Sequence, residues 1–154
     1  AQRIQHLDKI RALQDEAHNN GRAGFTSFIA WPVQLENNAF GRRNRGRNKS
    51  TMGAGSVDYL RHLAISRLYL DNVKHIQASW PTMGLDIAQM GLSAGADDIG
   101  STMMEENVVS ASGTSRTSVT EKELRNLIKE AGFIPMKRDS DYNFLRNGPT
   151  TDGV

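Results

Sequence analysis

Short strand-like runs alternate with helical patterns between residues 25 and 100, and this alternation limits the possible folds more than any other feature. The run Phe25 to Trp31, FTSFIAW, is rich in aromatic and β-branched residues. A second run covers Ile76 to Trp80, and Asp97 to Gly100 is long enough for a third strand. Strands that alternate with helices form parallel sheets with right-handed crossovers. The sequence therefore predicts an α/β fold with parallel strands and outer helices.

Apolar residues at spacings of three and four predict the helices that would cover such a sheet. The predicted helices run from Gln2 to Asn19, from Val57 to Asn72 with Ser56 as the cap, and from Met83 to Ala94 with a glycine stop at Gly95. A further helix should begin at a capping box formed by Thr120 and Glu123, with Val119 packed on Leu124. Residues 106 to 118 fit a short helix followed by a turn.

A long loop from residue 32 to residue 55 carries an unusual concentration of positive charge. Its cationic residues are Arg42, Arg43, Arg45, Arg47 and Lys49, with no acidic residue between them. Three interpretations follow, in order of preference: a mobile surface segment, a cover over an active site, and a phosphate- or RNA-binding module. Because no apolar residue anchors the chain between Phe40 and Met52, residues 41 to 55 should be the most mobile internal segment.

Composition excludes several classes of protein. The 154 residues suffice for one domain, and a net charge of +2 does not mark a nucleic-acid binder. The absence of cysteine excludes disulfides and cysteine-bound metal within this chain. No run is long and apolar enough to span a membrane and no signal peptide opens the chain, which favours a cytoplasmic protein. The chain starts with alanine on a helical pattern, which suggests a piece of a longer protein.

The candidate site follows from the order of side chains along the second and third strands. Alternation places Gln77 and Ser79 on one side of the second strand, opposite the apolar Ile76, Ala78 and Trp80. Ligands of parallel α/β folds bind at the C-terminal ends of the strands. Gln77, Ser79, Asp98 and Glu105 should therefore point into one cavity there. The alternative is that Gln77 and Ser79 satisfy each other or a core water, and that Glu105 and Glu106 are exposed to solvent.

The residues alone contain no self-contained catalytic signature. There is no phosphate-binding glycine loop of the required form and no nucleophile elbow. The four histidines do not form a pair at metal-binding spacing, so no metal site is expected within this chain, and His62 and His75 should pack near the surface.

Three longer runs carry a resemblance to a known family: YLRHLAISRLYLDNVKHIQASW, GADDIGSTMMEENVVSASGTS and LIKEAGFIPMKRD. From about Gln5 to about Arg146, the chain resembles the C-terminal part of the radical-SAM dehypoxanthine futalosine cyclases (cyclic dehypoxanthinyl futalosine synthases) of menaquinone biosynthesis. It is more distantly similar to aminofutalosine synthases and deazaflavin-precursor synthases. The runs EENVVSASGTS and FTSFIAW favour the cyclases.

The resemblance implies a fold and a reaction. Members of the family are (β/α) TIM-type barrels, of which residues 1–146 would form a C-terminal portion and residues 147–154 a flexible tail. Their N-terminal half holds a [4Fe–4S] cluster on a C-x3-C-x2-C loop. The cluster cleaves S-adenosylmethionine to a radical that starts cyclisation of the small-molecule substrate. Because this chain has no cysteine, it would supply substrate-side wall and would need the N-terminal barrel half as a partner.

The resemblance also implies substrate-binding residues. Gln77, Ser79 and Trp80 match the family's IQASW-like strand. Its GANDFGGTMxEEN-like loop is matched by Asp98, Gly100, Thr102, Glu105 and Glu106. Two positions depart from the family pattern: Asp97 replaces the usual Asn and alters the local charge, and Ser101 replaces the usual Gly and adds bulk near a tight turn. No catalytic or cofactor-binding residue is assigned in this way, and nucleic acid and membrane are not expected partners.

Overall fold

The computed structural model describes residues 2–35, 38–102 and 118–145 of the chain. Helices and strands alternate along much of these ranges, as the sequence predicts. The helices are α1 (Gln2–Asn19), α2 (Ala39–Arg43), α3 (Ser56–Tyr69), α4 (Trp80–Met83), α5 (Leu85–Ser93) and α6 (Glu121–Glu130), and the strands are β1 (Ser27–Ile29) and β2 (His75–Gln77).

The strands form a small parallel sheet. β1 pairs with β2, with Phe28 beside Ile76 at the centre of the register. A third segment joins the other edge of β2 through a parallel bridge between Gln77 and Asp98. Two backbone hydrogen bonds hold it there, from the Ala78 N–H to the Asp98 carbonyl at 2.8 Å and from the Asp97 N–H to the Ile76 carbonyl at 3.0 Å. The prediction of an α/β fold with parallel strands is confirmed.

The strands are shorter than predicted. β1 occupies the middle of the expected Phe25–Trp31 run, and the expected strand Asp97–Gly100 is reduced to the single bridge at Asp98. The expected Ile76–Trp80 strand is also wrong at its end. Pro81 lies in the first turn of α4, where its missing N–H costs no helical hydrogen bond. Proline here begins a helix, and the sequence pattern alone cannot distinguish that from the end of a strand.

The helix boundaries also differ in detail. Gly84, with a φ of +85°, separates α4 from α5 where one continuous helix was predicted from Met83 to Ala94. Gly55 is the N-cap of α3, so Ser56 is its first helical residue and not its cap. The left-handed Gly95, with a φ of +106°, follows α5 as predicted.

The predicted capping box of α6 is confirmed. The Glu123 N–H donates to the Thr120 hydroxyl at 3.2 Å, and the Thr120 N–H donates to the Glu123 carboxylate at 2.9 Å. Val119 and Leu124 are both buried in the core. The local sequence therefore fixes where this helix begins and which residues enter the core.

The loop of residues 32–55, with its cluster of basic residues, contains regular structure that the sequence did not suggest. Asn38 caps α2 by accepting from the Gly41 N–H at 2.8 Å. Asn48 and Thr51 close a turn through reciprocal backbone–side-chain hydrogen bonds, and the Lys49 ammonium contacts the Gln34 side chain at 2.6 Å. The high mobility expected for residues 41 to 55 stays a prediction.

The main core lies between one side of the sheet and helices α3, α5 and α6. Its fully buried members are Leu63, Ile76, Ala78 and Ala88. Helix α5 approaches the sheet closely at Gly91, where an added Cβ would lie 2.9 Å from the Ala78 methyl group. One side of the sheet is thus sealed by helices.

Helix α1 packs beside this core through a second cluster, Leu7, Leu70 and Val73. The buried Gln14 fastens α1 to the chain before β1, because its amide donates to the Phe25 carbonyl at 3.0 Å and to the Asn72 carbonyl at 3.2 Å. Within the described ranges, no helix combines the length and apolar character that crossing a membrane requires.

Candidate functional site

The side of the sheet opposite the helices carries the candidate site, and we call it the inner face. The register places Ile29 beside Gln77, and Gln77 beside Asp98, at the C-terminal ends of the three segments. Successive side chains in a strand point to opposite sides, and Ile76 and Ala78 are buried under the helices. Gln77 therefore lies on the inner face, as its position in the sequence predicted.

The Gln77 side chain lies against the turn that follows the third segment. A Cβ added at Gly100 would come within 2.7 Å of the Gln77 amide nitrogen and 3.3 Å of its amide carbon. Gly100 also has a φ of +87°, in the region that favours glycine. The amide of Gln77 can occupy this position because residue 100 has no side chain.

Asp98 has both carboxylate oxygens engaged within the chain. One accepts from the Gly100 N–H at 3.0 Å. The other accepts from the Arg138 guanidinium and from the Tyr142 hydroxyl, the latter at 2.8 Å. Only 10% of the Asp98 side chain is exposed. The carboxylate is thus part of an internal network.

Arg138 and Tyr142 belong to a hairpin after α6, which we call the C-terminal hairpin (residues 137–145). Backbone hydrogen bonds close it from Leu145 to Lys137 at 2.8 Å and from Asp139 to Asn143 at 3.0 Å. The Tyr142 ring stacks on His75, with 4.0 Å between ring centroids and 12° between ring planes. The Arg138 guanidinium carbon lies 4.0 Å from the same tyrosine centroid. The hairpin therefore covers the inner face at the beginning of β2.

Burial raises the pKa of the Tyr142 hydroxyl; a hydrogen bond with Ser27 opposes this rise and the bond to Asp98 adds to it. Burial lowers the pKa of Arg138, but Asp98 outweighs this effect and the net pKa is raised. At neutral pH, Tyr142 is therefore a hydroxyl donor and Arg138 a cation, and both donate hydrogen bonds to Asp98.

Asp97, the first departure from the family pattern, joins the sheet to helix α3. Its carboxylate accepts from the Ile76 N–H at 2.7 Å, contacts His75 Nδ1 at 2.6 Å and pairs with Arg67. Arg67 also donates to the Gly95 carbonyl at 2.6 Å. The negative charge at position 97 thus has cationic and N–H partners on helix α3 and strand β2.

These contacts predict a pH-dependent contribution of Asp97 to stability. Burial would raise the pKa of its carboxyl, but the three partners outweigh burial and lower the pKa below the ordinary 3.8. A lowered pKa stabilises the folded state above 3.8, and this contribution is lost as pH falls through the folded-state value. Because 40% of the side chain is exposed, we expect about 1 kcal/mol or less.

The measurement is the free energy of unfolding against pH for the unsubstituted protein and for Asp97→Asn. The difference between the two free energies of unfolding should be constant near neutral pH and should shrink below about pH 4. A difference that grows as the pH falls would contradict the assigned contacts.

Ser79 and Trp80 lie beneath the site and not at its surface. Ser79 has no exposed surface; its hydroxyl bonds to the Thr82 hydroxyl at 2.7 Å and its N–H donates to the Tyr59 hydroxyl at 2.8 Å. The buried Trp80 indole donates to the Ser101 carbonyl at 3.0 Å. The expected alternation is corrected here: β2 ends at Gln77, so Ser79 is the N-cap of α4 and does not share the open part of the inner face.

The remaining predicted residues lie on the segment after Gly100. Thr102 is exposed, and its carbonyl accepts from the Val119 N–H at 3.2 Å. Glu105 and Glu106 lie outside the described residues, as does the predicted short helix and turn of residues 106 to 118. Of the six predicted substrate contacts, the structure brings Gln77 and Asp98 together and leaves Thr102 open to solvent. Whether any of the six binds substrate stays a prediction.

Sequence reasoning missed Arg138, Tyr142 and the role of His75. The only local signal was the run RDSDYN, in which Asp139 can close a turn; its carboxylate accepts from the N–H groups of Asp141 and Asn143, both at 2.9 Å. No local pattern indicates that Tyr142 contacts an aspartate 44 positions earlier.

No metal centre is formed by the described part of the chain, in which no three histidine or acidic side chains come close enough to hold an ion. The sequence has no cysteine. A [4Fe–4S] cluster held by three thiolates therefore does not fit the residues of this chain.

Taken together, these features define a class: part of a parallel α/β fold with one side sealed by helices and polar groups at the C-terminal strand ends, the usual ligand-binding edge. Residues 22–151 match the family model described as the CofH/MqnC C-terminal region. The chain belongs to this family.

Three relatives specify the similarity further. The chain is 42% identical to a cyclic dehypoxanthine futalosine synthase of Streptomyces coelicolor, covering 100% of this chain and 36% of the relative. It is 38% identical to an aminodeoxyfutalosine synthase of Thermus thermophilus, over 94% of this chain and 37% of the relative. It is 41% identical to a 5-amino-6-(D-ribitylamino)uracil–L-tyrosine 4-hydroxyphenyl transferase of Archaeoglobus fulgidus, over 93% of this chain and 39% of the relative. The chain thus spans somewhat more than a third of the length of these relatives.

Proposed function

We propose that the protein containing this chain is a radical-SAM cyclase that converts dehypoxanthine futalosine to cyclic dehypoxanthine futalosine in menaquinone biosynthesis. The observation that carries the proposal is the family match over residues 22–151, together with 42% identity along the whole chain to a relative of that name. Within that enzyme, this chain supplies part of the wall that faces the substrate.

The exposed residues of β1 and its flanks support a barrel as the complete fold. Phe25, Ile29 and Trp31 are 44%, 40% and 54% exposed. Ile29 lies on the inner face beside Gln77, and Phe25 and Trp31 flank the strand. Among the described residues, β1 has a strand neighbour on one edge only. Further strands of a barrel would pair with the free edge and cover these apolar side chains. The partner we propose is therefore the N-terminal half of the same barrel.

Gln77 is the substrate contact that the geometry favours most. Its amide lies at the C-terminal end of β2, is half-buried and can both donate and accept hydrogen bonds. Thr102 is exposed, two residues after the Gly100 turn. Ser79 and Trp80 would act from below by holding the start of α4 and the Ser101 backbone, and Glu105 is carried over from the family resemblance.

S-adenosylmethionine and a [4Fe–4S] cluster are the cofactors that the family implies for the complete protein, and together they supply the radical that starts cyclisation. This chain's contribution would be to bind and orient the substrate and to keep water from the inner face. The outer helices are suited to that role because they seal one side of the sheet, and the C-terminal hairpin covers the inner face at the beginning of β2.

The function is tested in the complete protein, with its cluster reconstituted anaerobically and supplied with S-adenosylmethionine and a reductant. Dehypoxanthine futalosine should be converted to the cyclic product. A parallel reaction with L-tyrosine and 5-amino-6-(D-ribitylamino)uracil should give no coupled product. Cleavage of S-adenosylmethionine without cyclisation would contradict the proposal and favour one of the sister reactions named by the relatives.

A further inference from the structure

We propose that Tyr142 and Arg138 are positioning residues for this site: they hold the Asp98 carboxylate so that Asp98 fixes the Gly100 turn beside Gln77. Asp98 would then act on the substrate through Gln77 without touching it. The kinetic test of this inference rests on the proposed function. The inference also changes the role of Asp98, which the family resemblance implies to be a substrate contact.

The contacts of Asp98 leave little room for a substrate. Both of its oxygens accept hydrogen bonds from within the chain, and nine-tenths of the side chain is buried. A substrate group that bound the carboxylate would have to displace the Arg138 cation or the Tyr142 hydroxyl. Such an exchange removes a charge-assisted hydrogen bond from a buried group, which is unfavourable.

Two unfavourable local features show that the hairpin is held in place by its contacts with the site. Tyr142 has a φ of +63°, a conformation that non-glycine residues rarely adopt. The Nε of Arg138 is buried and has no hydrogen-bond partner among the described residues. Both features cost free energy, and strained residues persist where surrounding contacts over-determine them. The contacts that do so here are the pairing with Asp98 and the stacking on His75.

A continuous path leads from the hairpin to Gln77. The Tyr142 hydroxyl and the Arg138 guanidinium fix one oxygen of Asp98, and its other oxygen fixes the Gly100 N–H. The Gly100 backbone is the surface on which the Gln77 amide lies. Loss of the Tyr142 hydroxyl should therefore loosen the Gly100 turn and shift Gln77, although neither change removes a group that binds substrate.

The kinetic test uses the complete protein with Tyr142→Phe, Asp98→Asn and the double variant. Tyr142→Phe keeps the ring stacked on His75 and removes only the hydroxyl. Each single variant should lower kcat about tenfold with little change in KM, because alignment is lost while binding contacts remain. The double variant should be no slower than the slower single variant, because both changes break the same path.

Tyr69→Phe is the matched control, since the Tyr69 hydroxyl also bonds a carboxylate, that of Asp8, at 3.0 Å but outside the site. It should leave kcat and KM unchanged. A large rise in KM for Asp98→Asn, with Tyr142→Phe equal to the unsubstituted protein, would overturn the inference and make Asp98 a substrate contact. A double variant whose loss of kcat equals the product of the two single losses would also overturn the inference.

A second readout does not depend on turnover. Hydrogen exchange at the Gly100 amide should accelerate in Tyr142→Phe and in Asp98→Asn and should stay unchanged in Tyr69→Phe. If the unsubstituted protein fails to cyclise its substrate, the proposed function fails while this measurement still decides the role of the hairpin. Unchanged exchange at Gly100 in both site variants would overturn the inference.

Discussion

Gly100→Ala should lower kcat/KM of the complete protein about a hundredfold, because it displaces Gln77, the proposed substrate contact, and a displacement near 1 Å at such a group can have an effect of that size. The added Cβ would lie 2.7 Å from the Gln77 amide nitrogen, so the amide has to move. The neighbouring backbone is fixed by Asp98 and by the bridge to β2, and it cannot move away as easily as the side chain.

Gly84→Ala is the control that separates this displacement from backbone strain. The φ of Gly84 is +85° and that of Gly100 is +87°, values that residues with a Cβ rarely adopt, so alanine strains the backbone at both positions. No atom lies within 4 Å of a Cβ added at Gly84. Steady-state kinetics and thermal unfolding of both variants should show a loss of stability in each and a loss of activity in Gly100→Ala alone. Equal losses of activity would show that strain is responsible and that Gln77 is not displaced.

Local features of the fold could be predicted from the sequence because they depend on residues close in the chain. The capping box of Thr120 and Glu123 lies within one helical turn, and the burial of Ile76 and Ala78 follows from alternation within β2. The parallel sheet followed from the order of strands and helices. The cyclase family was recognisable because long runs of residues, and not single positions, carried the resemblance.

The site was predictable only in part because its contacts join distant segments. Asp98 and Tyr142 are 44 positions apart, and Arg67 and Asp97 are 30 apart. No periodic pattern links such residues. The error at Ser79 had a local cause: a proline after a short strand fits both the end of the strand and the first turn of a helix.

The largest effect is expected when the chain is separated from the rest of its protein. Alone, it should have no cyclase activity, because it contains no cysteine that could hold the cluster. The exposed side chains of Phe25, Ile29 and Trp31 and the free edge of β1 should also make it prone to association. An N-terminal barrel half that covers these side chains and pairs with the free edge of β1 should stabilise the chain.

The central claim is tested most directly by recombining the two halves. This chain and an N-terminal half bearing the C-x3-C-x2-C loop are prepared separately, and the latter is reconstituted with iron and sulfide. They are then mixed anaerobically with S-adenosylmethionine, a reductant and dehypoxanthine futalosine. The account predicts cyclic product from the mixture and from neither half alone. Cyclic product from this chain unaided, or a mixture that forms a stable complex and cleaves S-adenosylmethionine without cyclising the substrate, would contradict it.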